Sequence, residues 1–443
     1  MKVFGTDGIR GTVRKSSLIR TAFSVSQALS HLAVSRNPDA KILVARDPRD
    51  TGELLTRAVT AALASYGADA VDLGVLPTPA LARLCARYEA DYGVMISASH
   101  NPPEYNGVKI FNSEGRQLST AEEESLEALT ETLPPPGRLG RFSALPGAAE
   151  DYADELRGLI KVPLSGLRIA VDLSNGAALR TAPLGLGGKG AKLFLTGNDP
   201  DGRKINCECG ATFPSSIVRA VKENRCDFGF AFDGDGDRVL FCDAEGQTYG
   251  GDALLFLFAA FLKPQGRLRR DTVAGTVLTN LGCEEALKAI GVRLIRTDVG
   301  DKFLMEAMLK CDLNLGGEDS GHLLLRDYAQ TGDGLLSAVM TLNVLLDGTA
   351  SLAERLSGYE EYPVRSVNVT VAEEQKQALF LHPAVQKEAA ALQEELKGCG
   401  RIVLRPSGTE PKIRVMCECR EDLLADTSAA RMQQVLLEVL EKL

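Results

Sequence analysis

Residues 42–74 read ILVARDPRDTGELLTRAVTAALASYGADAVDLG, and the order of residue types in this stretch indicates the fold. A run of apolar and β-branched residues comes first, and a polar turn follows it. Apolar residues then recur at helical spacing, and a glycine precedes a second apolar run. Glycine is common where a helix ends, because it adopts the left-handed backbone conformation without strain. The stretch therefore predicts a βαβ unit.

The same pattern occurs twice more along the chain. Residues 169–197 read IAVDLSNGAALRTAPLGLGGKGAKLFLTG, and residues 273–300 read VAGTVLTNLGCEEALKAIGVRLIRTDVG. The crossover helices of such units pack on the faces of a sheet. Three copies therefore predict three similar α/β domains with mixed sheets.

The length and the interruptions of the pattern predict four domains. A chain of 443 residues is too long for one core. The segment ETLPPPGRLG at 131–140 suits a linker or loop, and an alternating strand, YPVRSVNVTV, begins at Tyr362. We predict α/β domains at 1–148, 149–247 and 248–361 and a smaller α+β domain at 362–443, arranged around a central cleft. The last domain would end in an amphipathic helix.

Composition and charge exclude several classes of protein. A net charge of −9 argues against a nucleic-acid or anionic-membrane partner, although a local basic cleft could still bind a small anion. The longest apolar run, residues 253–262, is shorter than the roughly 20 residues of a membrane span. We therefore expect a cytoplasmic protein without a membrane partner. Its ten cysteines, including two C-E-C pairs, are predicted to be mainly buried free thiols.

The segment FAFDGDGDRVLF at 230–241 predicts a metal site. Asp233, Asp235 and Asp237 alternate along an extended chain, so their carboxylates would share one face, and Gly234 and Gly236 would let the backbone bend tightly. Converging carboxylates repel each other unless a hard cation such as Mg²⁺ or Ca²⁺ joins them. An EF-hand is excluded, because the sixth position would be Arg238 and the twelfth Ala244. The remaining alternative is a solvated acidic hairpin.

Two further loops have the side chains of a ligand site. LRPSGTEPKIRVM at 404–416 combines guanidiniums and hydroxyls around a glycine turn, a set that suits phosphate. LGGEDSGHLLL at 315–325 mixes donors and acceptors that suit sugar hydroxyls. The alternatives are a turn with solvated arginines and a capped polar turn.

The segment MISASHNPPEYNGVKIF at 95–111 places two serines, a histidine and a lysine where proline and glycine disfavour both a helix and a regular strand. VFGTDGIRG at 3–11 similarly carries Asp7 and Arg10 between glycines. Read alone, the segment at 3–11 could be a solvated turn, and in the segment at 95–111 His100 could serve only as a partner within its own turn.

Together the loops resemble the motifs of the α-D-phosphohexomutases. ISASHNP, DGDGDR, GGE-x-SGH and RPSGTEP occur in the order of that family's serine, metal, sugar and phosphate loops, one per predicted domain. FGTDGIRG, PTPAL, INCECGAT and TGDG extend the resemblance over essentially the whole chain. A binding protein without catalysis would be expected to lack the serine or a metal carboxylate, and all of these are present.

The resemblance implies roles for individual residues. Ser99 corresponds to the family's phosphoserine and Ser97 to a bystander, while Ser99, Asp233, Asp235 and Asp237 would hold Mg²⁺. His100, Arg10, Lys109 and Arg238 would stabilise charge or assist proton transfer. The sugar would be read by Glu318, Asp319, Ser320 and His322. The phosphate that is not reacting would be held by Arg405, Ser407, Gly408, Thr409 and Arg414.

The implied reaction moves a phosphate between O6 and O1 of a hexosamine phosphate. Glucosamine 1,6-bisphosphate, or glucose 1,6-bisphosphate, would be the intermediate or activator. The product would supply UDP-N-acetylglucosamine and peptidoglycan synthesis, and mannose or glucose phosphates are the alternative substrates. The sequence does not set the oligomeric state, for which a homodimer is one option.

Overall fold

The computed structural model describes residues 3–5, 7–13, 17–407 and 411–443, and four β-sheets follow one another along this part of the chain. The first three sheets mix parallel and antiparallel strands, and the fourth is antiparallel. The predicted fold class, three α/β domains and a smaller C-terminal α+β domain, is confirmed.

The first domain has a six-stranded sheet in the order β1-β5-β4-β2-β3-β6, in which β1 and β4 are antiparallel to β5. Its elements are β1 Ile9–Thr12, α1 Leu18–Arg36, β2 Lys41–Arg46, α2 Gly52–Ser65, β3 Asp69–Val75, α3 Thr78–Arg87, β4 Tyr92–Ile96, β5 Tyr105–Asn112, α4 Thr120–Glu131 and β6 Phe142–Ala144. The proline-rich segment after α4 returns the chain to β6, which pairs with β3 at the edge of the same sheet.

The second domain has a five-stranded sheet in the order β11-β10-β9-β7-β8. Its elements are α5 Ala148–Gly158, β7 Arg168–Asp172, α6 Thr181–Gly187, β8 Lys192–Thr196, α7 Ser215–Asn224, β9 Phe228–Phe232, β10 Val239–Asp243 and β11 Thr248–Tyr249. Because β11 pairs with β10, this sheet continues two residues past residue 247. The domain boundaries themselves stay predictions.

The third domain has a four-stranded sheet in the order β13-β12-β14-β15. Its elements are α8 Gly251–Leu262, β12 Thr272–Thr276, α9 Leu281–Ala289, β13 Arg293–Thr297, α10 Asp301–Lys310, β14 Leu315–Gly317, β15 Leu323–Leu325, α11 Gly334–Leu345 and α12 Leu352–Arg355. Short 3₁₀ turns lie at Ala177–Leu179 and Gly202–Lys204 in the second domain and at Lys263–Gln265 and Arg269–Asp271 in the third domain.

The fourth domain has a three-stranded sheet in the order β16-β18-β17. Its elements are β16 Val364–Thr370, α13 Glu373–Phe380, α14 Pro383–Glu395, β17 Gly400–Pro406, β18 Lys412–Cys419 and α15 Asp422–Leu440. The predicted amphipathic helix is α15, which buries Met432, Leu436 and Val439.

The three predicted βαβ units are confirmed. They are β2-α2-β3, β7-α6-β8 and β12-α9-β13, and the two strands of each unit pair in parallel. Their inner strands are almost fully buried, as expected for strands covered by helices on both faces. The parallel strands of a unit end at the same edge of the sheet, so the loops that follow them lie together.

The apolar core is shared among the first three domains. One cluster of buried side chains joins Leu43 of the first domain, Phe230 of the second and Leu315 of the third. The clusters of the fourth domain are built from its own residues, beginning at Val367. Thus, the first three domains form one packed body, and the fourth has a separate core.

The cysteines are all free, and most of them are buried, as predicted, although Cys207 is exposed. The sulfur atoms of Cys399 and Cys419 are 3.7 Å apart, a distance longer than a disulfide bond. In the described residues, no helix has both the length and the apolar character needed to cross a membrane.

Candidate active site

Ser99 lies in the loop between β4 and β5, and its backbone adopts a left-handed conformation with φ of 50°. Such a conformation is uncommon for serine, so neighbouring groups must hold it. One of them is Ser97, whose hydroxyl donates to Asp47 at 2.6 Å and accepts from the Ser99 N–H at 2.9 Å. Ser97 therefore supports the loop of Ser99, a contact that the interpretation of Ser97 as a bystander did not include.

The hydroxyl of Ser99 faces the metal loop of the second domain. It donates to Asp233 at 2.9 Å across 134 residues of sequence, and His100 Nδ1 lies 3.3 Å from it. Burial, together with the charges of Arg238 and Arg10, lowers the pKa of His100 to about 3. The imidazole is therefore neutral near pH 7, because burial and the two neighbouring cations disfavour its protonated form.

Asp233, Asp235 and Asp237 form the metal-binding candidate of the described residues. One oxygen from each of the three lies within 4.8 Å of the others, and all three residues are buried. They converge because the loop between β9 and β10 turns tightly, with Gly236 N–H donating to Asp233 O at 3.1 Å and φ of 72° at Gly236. The predicted alternation along an extended chain is therefore not the cause of the convergence.

The chemistry of these carboxylates fits Mg²⁺. Asp235 Oδ1 and Asp237 Oδ1 are buried, and no hydrogen bond to either is found within the described part of the chain. Burial and the charges of its two neighbours raise the pKa of Asp233 well above its usual value. Hard carboxylate oxygens that repel one another in a buried site are suitable ligands for a hard divalent cation. With the Ser99 hydroxyl, the set offers four oxygen-bearing groups.

Basic residues surround the acidic loop. Lys109 Nζ lies 3.0 Å from Asp7, 3.6 Å from Asp235 and 3.7 Å from Asp237, and it belongs to strand β5. The expectation that glycine excludes a regular strand here is wrong for residues 105–112. Position 107 of this strand requires glycine, because a Cβ there would lie only 2.5 Å from Ile9 O and 2.6 Å from Ser97 O.

The two predicted catalytic arginines lie on either side of this loop. Arg10 pairs with Asp7 and donates to Asn101 at 3.0 Å. Arg238 Nε lies 3.8 Å from Asp237. Burial alone would lower the pKa of Arg238, but Asp233 and Asp237 raise it, so its charge is retained.

The predicted sugar loop connects β14 and β15. Asp319 and Ser320 are exposed, and Glu318 Oε1 accepts from the Gly300 N–H at 3.1 Å. His322 is placed differently, because it is 4% exposed and its two ring nitrogens lie 3.5 Å from Asp237 and 3.0 Å from Asp301. Although burial opposes protonation, the two carboxylates raise the pKa of His322 well above its usual value. His322 thus contacts the metal loop.

The predicted phosphate loop connects β17 and β18. Arg405 and Arg414 are direct partners across the two strands. Burial and the charge of Arg414 lower the pKa of Arg405, as expected where two cations share a site that suits an anion. Ser407 is buried and its N–H donates to Lys412 O at 2.9 Å. The predicted residues Gly408 and Thr409 lie outside the described residues.

Asn206 and Thr78 contact the site, although neither residue carried a predicted role. Asn206 Nδ2 donates to Ser99 O at 3.0 Å and to Asn101 O at 3.2 Å, and the Thr78 hydroxyl donates to Asp235 at 2.6 Å. Both belong to motifs of the family resemblance, INCECGAT and PTPAL, so membership in these motifs was the available signal. Their contacts join the second domain to the first.

Known proteins match nearly the whole length of this chain. Models described as phosphoglucomutase/phosphomannomutase alpha/beta/alpha domains I, II and III and C-terminal domain match residues 1–135, 150–246, 250–362 and 367–435. A phosphoglucosamine mutase of Clostridium beijerinckii is 39% identical over 441 residues, which cover 98% of this chain and 98% of that protein.

Solved structures share the fold. A phosphoglucomutase/phosphomannomutase family protein from Burkholderia thailandensis superposes with a TM-score of 0.80 at 23% identity, covering 99% of this chain and 97% of that one. The N-acetylphosphoglucosamine mutase of Aspergillus fumigatus, in complex with GlcNAc-6P and magnesium, has a TM-score of 0.69 at 18% identity and covers 99% and 96%. At these identities, the two structures are evidence for the fold alone.

Proposed function

Because this chain belongs to the phosphoglucomutase/phosphomannomutase family, we propose that it interconverts glucosamine 6-phosphate and glucosamine 1-phosphate through a phosphoserine at Ser99. The observation that carries the proposal is the position of the Ser99 hydroxyl, 2.9 Å from a carboxylate of the buried acidic cluster. The name of the Clostridium beijerinckii relative supports the choice of an amino sugar.

In the proposed reaction, the phosphate of phospho-Ser99 is transferred to the free hydroxyl of the sugar phosphate. The bond between phosphorus and Ser99 Oγ breaks, and a bond to the sugar oxygen forms. The sugar hydroxyl loses its proton and Ser99 Oγ gains one, and the neutral ring of His100, 3.3 Å from Ser99 Oγ, is placed to hydrogen-bond to this oxygen during the exchange. The other phosphate of the bisphosphate then returns to Ser99.

The charges around Ser99 suit such a transfer. Lys109 and Arg238 retain their positive charge, because carboxylates raise the pKa of each despite burial. Cations fixed where negative charge develops stabilise the transition state of phosphoryl transfer. Asp233, Asp235, Asp237 and Ser99 would hold Mg²⁺, which when bound neutralises charge on the transferring group.

The remaining loops would bind the substrate. Glu318, Asp319 and Ser320 lie on the hairpin turn between β14 and β15, and they would read the sugar hydroxyls. The arginine pair of β17 and β18, with Ser407, would hold the phosphate that is not reacting. Gly408 and Thr409 complete that proposed loop in the sequence. We also propose that a sugar 1,6-bisphosphate acts as the activator of the enzyme.

A ³¹P NMR time course would test the substrate. The protein, Mg²⁺ and a trace of glucose 1,6-bisphosphate would be incubated separately with glucosamine 6-phosphate, mannose 6-phosphate and glucose 6-phosphate. We expect the resonance of glucosamine 1-phosphate to appear fastest. Faster turnover of mannose or glucose phosphate would keep the family and contradict the amino-sugar assignment, and the absence of all three products would contradict the activity. Sedimentation of the same sample would determine the oligomeric state, for which a homodimer is one option.

A further inference from the structure

Arg49 lies in the polar turn after β2, next to the loop of Ser99. Its side chain is fully buried and forms an ion pair with Asp47 at 2.9 Å. Among buried charges, a guanidinium is stable only when its N–H groups all have acceptors. The acceptors of Arg49 therefore identify the part of the structure that this buried side chain stabilises.

The guanidinium of Arg49 uses all five of its N–H groups within the first domain. Nε donates to Asp47, and the other nitrogens donate to four backbone carbonyl oxygens. These carbonyls belong to Ser99 at 2.8 Å, Asn101 at 2.8 Å, Tyr105 at 3.0 Å and Pro102. One side chain thus binds the backbone of the Ser99 loop at four points.

These contacts fix the direction in which Ser99 points. Ser99 has a positive φ, and its carbonyl oxygen is directed towards Arg49 and Asn206. The Ser99 hydroxyl is directed towards Asp233. Asp47 links the two supports, because it accepts from Arg49 and from Ser97, whose hydroxyl in turn accepts from the Ser99 N–H.

We propose that Arg49 is a positioning residue for phosphoryl transfer, because its guanidinium holds the carbonyls of residues 99, 101, 102 and 105 so that Ser99 Oγ faces Asp233. The inference rests on the proposed function only for the identity of the reaction. Arg49 contacts neither the acidic cluster nor the phosphate loop in the described residues, so its effect on the reaction passes through the backbone of Ser99.

The test is the variant Arg49→Lys, since a lysine keeps the charge but offers three donors without the planar fork. We expect kcat to fall about 100-fold, because a displacement of about 1 Å in a reacting group can have this effect. KM for the sugar phosphate should change less than about threefold, since the proposed phosphate contacts lie in the fourth domain.

Arg326→Lys is the matched control. Arg326 is largely buried and donates to the carbonyls of Met308 at 3.1 Å and Leu313 at 2.6 Å, both within the third domain. Both substitutions remove hydrogen bonds from carbonyls and should lower the melting temperature. Only Arg49→Lys should lower kcat. Equal losses of kcat in the two variants, or an Arg49→Lys enzyme within threefold of the wild type, would overturn the proposal.

Hydrogen exchange gives a readout that does not depend on turnover. In Arg49→Lys, the amides of residues 97–105 should exchange at least about tenfold faster, while protection elsewhere in the first domain stays unchanged. Unchanged protection of this segment would contradict the positioning role even in a protein that turned over none of the sugar phosphates. If the wild type turned over none of the sugar phosphates, but residues 97–105 still exchanged faster in Arg49→Lys than in the wild type, only the proposed function would be contradicted.

Discussion

The first three domains and the fourth domain are joined to the molecule in different ways. The first three share one apolar core, which includes Leu43, Phe230 and Leu315, whereas the fourth packs its apolar side chains among themselves. A large apolar interface resists the separation of domains, whereas a more polar interface permits domain motion. Ser99 and the acidic cluster therefore belong to one packed body, and we expect the phosphate loop, which lies in a domain with its own core, to be the part that moves.

The contacts between the third and fourth domains are largely polar. Glu418 accepts from the Leu281 N–H at 2.9 Å, and Arg401 donates to Thr279 O at 2.6 Å. Asn280 binds the backbone of Tyr362 through its carbonyl and its amide, each at 3.0 Å. These contacts form the joint between the phosphate loop and the rest of the protein. Substitutions near Ser99 and the acidic cluster, in the first three domains, should mainly affect kcat. Substitutions in the phosphate loop of the fourth domain should mainly affect KM.

Ser99→Ala should have the largest effect. It removes the hydroxyl that would carry the phosphate, so we expect kcat to fall at least about 1,000-fold. The free energy of unfolding should fall by only about 1–3 kcal/mol, because one hydrogen bond to a buried carboxylate is lost and the fold is retained. Mutase assays and urea unfolding would measure the two quantities.

Ser30→Ala is the matched control, since Ser30 is a buried serine of the same domain that donates to Leu63 O at 2.7 Å. It should keep full activity at a similar change in stability. A Ser99→Ala enzyme with a rate near that of the wild type would falsify the phosphoserine assignment.

Asp235→Asn should come next in the size of its effect. Removing one negative oxygen from the acidic cluster should weaken Mg²⁺ binding at least about 100-fold. Isothermal titration calorimetry with Mg²⁺ would measure the affinity. Asp243→Asn is the control, because Asp243 lies at the opposite end of the same β9–β10 hairpin and accepts from Gln247 and Tyr249. Equal affinities in the two variants would rule out the acidic cluster as the site.

Arg405→Ala should act on the moving side. Loss of a charge-assisted hydrogen bond of about 1.5–3 kcal/mol should raise KM about 10- to 100-fold and leave kcat within a few-fold. Steady-state kinetics with glucosamine 6-phosphate would separate the two parameters. Arg365→Ala, on strand β16 of the same sheet, removes an arginine that pairs with Asp422 and Asp426 and should leave KM unchanged. A fall in kcat alone would contradict the division between the two sides.

Asp252→Asn should have the smallest effect. It should change the pH dependence of the free energy of unfolding, because Asp252 contacts Asn280 at the joint between the third and fourth domains. Asp252 is buried in α8 and accepts from the Asn280 N–H at 2.6 Å. Burial and neighbouring carboxylates raise its pKa well above 3.8. The folded state therefore binds this proton more tightly than the unfolded state does, and the resulting stability is complete below about pH 4 and is lost as the pH rises through the folded-state pKa.

The amide of the variant cannot lose this contribution. The unfolding free energy of Asp252→Asn, relative to the wild type, should therefore increase as the pH rises above about 4, by at most about 1.4 kcal/mol per pH unit. Urea unfolding at a series of pH values would measure the difference. A difference that is independent of pH would contradict the prediction.

The sequence predicted the elements better than the contacts between them. The three βαβ units were readable because their periodicity is local, and the four ligand loops were readable because each is a compact motif. A tight bend at Gly234 and Gly236 was predicted, but the convergence of the three aspartates was attributed to alternation along an extended chain, whereas the turn itself brings them together. The strand around Lys109 was missed because the space for Gly107 is set by a neighbouring strand.

Contacts between distant segments explain the remaining differences. Arg49 and Asn206 hold the loop of Ser99 from positions 50 and 107 residues away, and no local pattern encodes such approaches. His322 was grouped with the sugar loop by its motif, whereas its ring lies against Asp237 and Asp301. A side chain's neighbours depend on how the domains pack, and a motif alone does not specify that.

The two glycines of the metal loop differ in what could replace them. Gly236 needs a left-handed backbone, with φ of 72°, so D-alanine introduced by chemical synthesis would match its conformation. At Gly234, an added methyl group would lie 2.6 Å from Ser99 O and 2.7 Å from the Asn206 amide nitrogen. An L-residue with any side chain would thus push apart the loops of two domains. Semisynthesis could therefore distinguish a glycine required for its conformation from one required for its lack of volume.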